Sequence, residues 1–449
     1  MIDAAQIAGR ADRRRPSLQW LRTAGAFLDH LDALHVLRCA TFIGALLVIW
    51  ASLQPFAPIG DVASGDAGSG KMAATYLTFG LLAVVGLGAA WPGNGAALRS
   101  FVSPAFLALG GWMAFNILLS QDRNISLQRF MLAGCGILVA AMVPLLASSR
   151  AEFRRWIGLC ALVLLLLCYA GIELVPDLTV HLKTDPIEPQ LAGDWRGTFG
   201  HKNLAAPVMA MIVFVGLYLA RSGSPIAGSA ILLLSAVFLL NSHGKSATAL
   251  CLLTILVSEA VARMRSGFWR AVTCFTPLVA MNMFSVGTVL SDTLAKIVQV
   301  LPFDTSFTGR TDIWRFGFES IARKPITGYG FAAFWGQDTM QLPAEDEIAW
   351  ATEAAHSHNG FVDTALTLGI PGLLLVTFIF VLAPFRNFAA AQALGNDDGL
   401  ARLYFRLWLF GAYLASMESF FMDRVNPIWI TFLIGVFGLH YLARFRLRD

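Results

Sequence analysis

About twelve mostly apolar stretches, parted by short polar breaks, constrain this chain more than any other feature of its sequence. Roughly 20 apolar residues let a helix cross a hydrocarbon core, where lipid offers no partner for an unsatisfied backbone N–H or C=O. The stretches lie near 39–53, 72–91, 101–119, 130–147, 156–174, 204–220, 226–240, 247–262, 268–290, 360–383, 403–421 and 428–442. Charged residues make up 14% and hydrophobic residues 56%, whereas a soluble domain averages about 25% charged. The expectation is an all-α integral membrane protein of about twelve transmembrane helices, with ten or fourteen as the alternatives.

Basic residues resist translocation and collect in cytoplasmic loops. With the N-terminus inside, alternate breaks carry Arg13, Arg14 and Arg15, then Arg99, Arg150 with Arg154 and Arg155, Arg221, Arg263 with Arg265 and Arg270, Arg386 with Arg402, and Arg444 with Arg446 and Arg448. This places both termini in the cytoplasm. It also accounts for the net charge of +4 without a nucleic-acid partner. The organisation expected is a cytoplasmic segment 1–38, nine spans over 39–290 with an outer loop 175–203, a large outer loop 291–359, and three spans with a cytoplasmic tail over 360–449. All six cysteines lie in apolar runs and read as packing residues. The first apolar run follows a long charged leader and reads as a retained span.

Long loops tend to carry function, and the larger outer loop contains TGRTDIWRFGFESIARKPITGYG. Thr311 or Asp312 suits a helix start, Ile313, Phe316, Ser320 and Ile321 share a face, and Pro325, Gly328 and Gly330 suit a stop. An amphipathic helix on the membrane or over the bundle is expected. Glu173, Lys245, Asp363 and Glu418 fall near the outer helix ends. Ionisable groups at such depth either line a polar vestibule or snorkel to the interface.

Three segments suit chemistry. In DWRGTFGHKNLAA, Arg196, His201 and Lys202 precede a helix opened by Asn203, an arrangement for holding an anion or simply a solvated cap. In GRTDIW, Arg310 heads the amphipathic helix, placed to fork onto phosphate oxygens or to lie at the surface. In HSHNGFVDTALTLGIPG, His356 and His358 end the large loop where a long helix begins, and imidazole takes a proton near neutral pH. No HExxH and no cysteine pair completes a zinc site around them, so no metal is expected.

Together these segments resemble the O-antigen ligase and polysaccharide polymerase superfamily. WRGTFGHKN is similar to the family's arginine-containing loop, GRTDIWRFGFESIARKPITGYG to its Gly-Arg loop segment, and His358, Asn359, Gly369 and Gly372 to its His-Asn…Gly-x-x-Gly pattern. Lys245 stands where related sequences often have arginine. The resemblance implies a membrane-embedded glycosyltransferase of the GT-C type with a large helical periplasmic loop, in a bacterial inner membrane, needing no cofactor. Its donor would be an undecaprenyl-diphosphate-linked oligosaccharide, and its acceptor a glycan on a second lipid carrier (polymerase) or on lipid A-core (ligase). Membrane lipids and other polysaccharide-assembly proteins would be its neighbours. Carried over by motif, Arg196 and Arg310 hold the diphosphate and His358 is the catalytic base, with His356, Asp363, Lys202, Lys245 and Glu418 as accessory candidates and His356 as the alternative base. The GTFGHKN form leans toward the polymerase branch. A transporter or flippase of lipid-linked sugars is the competing class, disfavoured because no internal repeat is seen.

Overall fold

The computed structural model describes residues 32–57, 69–185, 188–300, 309–335, 354–396 and 398–446. Within them the chain is helical apart from one antiparallel bridge between Val180 and Trp195. The helices are α1 (Ala33–Ala51), α2 (Ser69–Phe101), α3 (Pro104–Leu118), α4 (Arg123–Leu146), α5 (Arg150–Leu174), α6 (Lys202–Arg221), α7 (Pro225–Asn241) and α8 (Lys245–Arg263). They continue as α9 (Gly267–Phe284), α10 (Gly287–Leu290), α11 (Asp292–Gln299), α12 (Arg310–Arg323), α13 (Gly360–Thr377), α14 (Ala383–Ala393), α15 (Asp398–Leu414) and α16 (Pro427–Leu442). The leader with Arg13, Arg14 and Arg15, the tail residue Arg448, and 301–308 and 336–353 of the expected outer loop lie outside the described residues.

Each apolar stretch lies wholly or mostly in helix, yet among the described residues the expected count of about twelve spans is corrected to seven helices long and apolar enough to cross a membrane. These are α1, α2, α4, α5, α6, α8 and the joined α13–α14 (Gly360–Ala393). Pro104, Pro225 and Pro427 each open an apolar helix of only 15, 17 or 16 residues, α3, α7 and α16; proline suits a first turn but cannot extend a helix backward. Polar residues interrupt the other two, Arg270 and Asn282 in α9 and Arg402 and Arg406 in α15. The chain is an all-α, multi-pass membrane protein.

Side-chain burial divides each helix into a packed face and an apolar outward face. Leu77, Val84, Leu166, Ile226 and Leu256 are all more than two-thirds exposed, as residues facing acyl chains are. α6 and α16 form the dry centre, where Met209, Phe214, Trp429 and Phe432 are fully buried. Small residues let backbones approach closely in such bundles. At α6 against α7, a Cβ on Gly216 would sit 2.6 Å from the Leu232 nitrogen, and one on Gly228 only 2.1 Å from that of Ala220.

The amphipathic segment of the outer loop forms α12, starting at Arg310 rather than at Thr311 or Asp312, with Gly309 (φ 84°) as the residue before it. It lies over the bundle: Ile313, Trp314, Phe316 and Ser320 are buried and pack with Val362 and Leu366 of α13. The segment that follows inserts beside a break in α13. Gly369 (φ 68°) is non-helical, which frees carbonyls that Tyr329 N–H (to Leu366 O, 2.9 Å) and Gly330 N–H (to Thr367 O, 3.2 Å) fill, while Ile370 N–H donates to Pro325 O at 2.8 Å. Non-helical backbone at membrane depth persists only where such partners exist. A Cβ on Gly369 would lie 1.9 Å from Ile326 O, so only glycine fits.

Candidate active site

His358 sits on the turn entering α13 with φ 53°, a left-handed conformation that costs a non-glycine residue energy and must be held by its surroundings. Asn359 does much of that holding. Fully buried, it caps α13 by accepting from Phe361 N–H (3.0 Å) and Val362 N–H (3.1 Å), and its amide donates to Asn282 Oδ1 and Ser416 O, both at 3.1 Å. The start of α13 is thereby tied to α9 and to the loop carrying Glu418. Asp363 supports the same turn, accepting from Ser357 N–H (3.1 Å) and Trp335 Nε1–H (2.8 Å).

The result is a charged constellation. His358 Nδ1 lies 3.2 Å from Glu418 Oε2, Arg310 Nη2 lies 3.5 Å from Glu418 Oε1, and Arg310 Nη1 donates to Met417 O at 2.8 Å. His356 stacks edge-on to His358 with ring centroids 4.1 Å apart and accepts from His358 N–H at 3.3 Å. Burial would raise the Glu418 carboxyl, but the hydrogen bond and charge of His358 and the charge of Arg310 outweigh it and hold the group below its ordinary value. Burial, then the neighbouring His358, pushes His356 down. A carboxylate fixed on Nδ1 sets the His358 tautomer and leaves Nε2 to accept a proton.

Arg196 belongs to a second cluster. Its loop is pinned by Arg196 N–H to Thr179 O (2.8 Å) and His181 N–H to Asp194 O (3.0 Å). The guanidinium is fully buried and bonds through Nη1 to the carbonyls of Ala57 (3.0 Å) and Phe199 (3.2 Å), while Nε and Nη2 have no partner among the described residues. Buried donors are nearly always satisfied, so those two N–H groups mark a place for an acceptor. Lys202 is engaged with Asp194 at 2.5 Å, and Asp194 also meets His243 at 2.7 Å. His201, not Asn203, bounds α6: it caps the helix at Lys202 and pairs with Glu188 at 2.6 Å. Lys245 and Glu173 are exposed at helix ends.

Of the residues singled out from the sequence, the fold therefore joins Arg310, His356, His358 and Glu418 directly, and sets Arg196 with Lys202 apart from them. A cavity of about 870 Å³ opens where α1 ends and α2 and α4 begin. Ala57, which accepts from Arg196, lines it, as does Asp423, whose charge acts on His356. Arg129 and Arg424 also line it, beside Met72, Tyr76, Leu132 and Leu204. The sequence reading passed over both arginines, although an arginine inside an apolar helix, as in SLQRFMLAG, is a signal of a polar pathway.

The O-Antigen ligase family matches residues 204–377, which span α6 through α13. The chain is 27% identical over 214 residues to the "Exopolysaccharide production protein ExoQ" of Rhizobium meliloti (strain 1021), covering 43% of this chain and 47% of that protein. It is 30% identical over 110 residues to a "Putative polysaccharide ligase" of Rickettsia felis (strain ATCC VR-1525 / URRWXCal2), covering 22% of this chain and 27% of that one. Each alignment thus spans less than half of the relative. The matched region holds Arg310, His358, Asn359 and the broken α13, and on that match the chain belongs to the O-antigen ligase and polysaccharide ligase–polymerase superfamily.

Proposed function

We propose that this protein is a membrane glycosyltransferase that acts in polysaccharide assembly, transferring a glycan from a polyprenyl-diphosphate carrier to an acceptor hydroxyl at the outer face of a bacterial inner membrane. The arrangement of His358, Glu418 and Arg310 carries this reading. His358 Nε2 takes the proton as the acceptor oxygen bonds to the anomeric carbon, and Glu418 stabilises the imidazolium that forms. The bond from that carbon to the phosphate oxygen breaks, and the diphosphate leaves with the electron pair. Arg310 and Arg196 direct positive charge at that leaving group, the kind of electrostatic aid that tends to be the larger catalytic contribution. The cavity of about 870 Å³, apolar on one wall and lined by Arg129 and Arg424, suits the carrier's first isoprene units and headgroup.

For the acceptor, ligation to lipid A-core takes precedence over the polymerisation expected from GTFGHKN, since the matched family and one of the two relatives carry ligase names. The purified protein, given an undecaprenyl-diphosphate-linked oligosaccharide with lipid A-core or a second carrier-linked repeat, is expected to release undecaprenyl diphosphate. Glycan on lipid A-core supports the ligase, a lengthened carrier-linked glycan the polymerase, and neither product a transporter. His358→Ala should slow transfer by roughly 100- to 10,000-fold. Undiminished transfer by folded His358→Ala, Arg310→Ala and Arg196→Ala variants would reject the assignment.

A further inference from the structure

A second cavity, of about 340 Å³, lies at the opposite ends of the same helices, where α1 and α5 begin and α2 kinks at Pro92 and Gly93. Its ionisable lining is all arginine: Arg38, Arg150 and Arg446, with Ser148, Ser149, Asn94, Tyr404 and Tyr441 beside them. Among the described residues, no aspartate or glutamate lines it. The nearest acid on α5, Glu152, is held by Ser148 N–H at 2.8 Å and lies 3.7 Å from His35. Arg38 is fixed by the kink itself, donating to Pro92 O and to Ala89 O (2.9 Å), carbonyls at the point where the helix path breaks, and to Ser148 Oγ at 3.2 Å. The first turn of α5 adds the positive end of a helix dipole.

A second observation at the same end points the same way. Glu259 of α8 is ringed by four arginines: Arg221 at 2.6 Å, Arg406 at 2.5 Å, Arg263 at 3.1 Å and Arg402 at 3.6 Å. One carboxylate cannot balance four guanidinium groups. α15 joins the two features, lending Leu400 and Tyr404 to the cavity and Arg402 and Arg406 to Glu259. Trp91, half exposed beside the kink, marks the depth of lipid headgroups, where tryptophan concentrates.

We propose that this cavity is a binding site for a phosphate-bearing anion, filled by the headgroup of an acidic phospholipid from the adjoining leaflet. Basic pockets between helix ends on the inner side of a membrane suit such headgroups. Arginines supply planar donors for phosphate oxygens, while Leu145, Phe153 and Phe445 offer an apolar wall to the glycerol and first methylenes. The site is independent of the proposed transferase chemistry, which lies at the other face.

Native mass spectrometry of the full-length protein, equilibrated with phosphatidylglycerol and phosphatidylcholine, provides the test. Phosphatidylglycerol should be retained preferentially, and Arg150→Gln and Arg446→Gln should each reduce that preference roughly five-fold, whereas Arg99→Gln, outside the cavity, should not. Arg446 is exposed, so its variant guards against misfolding as the cause. A parallel arm uses phosphatidylcholine nanodiscs with millimolar inorganic phosphate. A thermal shift there that Arg446→Gln abolishes assigns the same site to a soluble anion instead of a lipid. Equal retention of the two lipids with no phosphate effect, or an unchanged preference in both variants, overturns the proposal.

Discussion

His356 and Glu418 make the site's response to acid readable at the level of single side chains. Burial and His358 lower the His356 pKa, so the unfolded chain binds a proton near pH 6.5 that the folded chain still refuses. Stability must then fall as pH drops from 6.5 through the window down to the folded value. The Glu418 pKa is also lowered, and its contribution, present above the ordinary value of 4.5, is lost at more acid pH still. Thermal melts across pH should show two acid limbs, with His356→Gln flattening the upper one and Glu418→Gln the lower. Asn359 sets a different kind of test. Asn359→Ala removes the cap and both amide donors and should cost about 1–3 kcal/mol, whereas Asn359→Asp keeps the cap but sets a buried carboxylate oxygen against the acceptor oxygens of Asn282 and Ser416, so its melting temperature should fall at least as far as that of alanine at neutral pH. The motif containing His358 and Asn359 was legible in the sequence. That Asn359 is the bolt and Asp363 the brace was not, because their partners Asn282, Ser416 and Trp335 are distant in the chain.

Helices show the same division between what a local pattern reveals and what it conceals. Apolar runs located the long helices but not the short α11 or α14, and the burial of Ile313, Phe316 and Ser320 in α12 follows the expected face. Span number was overread because run length does not register proline starts or the arginines inside α9 and α15. The break in α13 was invisible for another reason: its cause is the segment around Ile326, packed against Gly369 from the far side of the loop. Gly369→Ala, forced to φ 68° and onto Ile326 O, should lose more than about 3 kcal/mol and abolish transfer. Gly110→Ala in α3, where an added methyl meets nothing within 4 Å, should change stability by less than about 1 kcal/mol. Chemical denaturation of the two variants side by side checks this.

At the scale of the molecule, the two cavities occupy opposite ends of α1, α2 and α4, and the arginine-rich end is the one that positive-inside logic assigns to the cytoplasm. With Cys39 and Cys135 replaced by alanine and the other four cysteines buried, labelling of introduced cysteines tests this. Glu188→Cys should react with an impermeant maleimide on intact spheroplasts, and Arg99→Cys only after permeabilisation. Charge counting gives an expectation of sides, but it could not foresee that the polar residues at this end separate into two clusters, since that depends on which helices adjoin. The broken helix adds a mechanical consequence. Trp314 Nε1–H donates to Ser357 O at 2.8 Å, and the segment after α12 is laced to the carbonyls before Gly369. Arg310, His358 and the first half of α13 are therefore fastened together as one block, and the last of these ties reaches Ile370, just past the break at Gly369. Under the proposed function, any widening that admits a bulky glycan would fall on the seam around that block, and the alignment of arginine and imidazole would be inherited from folding rather than assembled at each turnover.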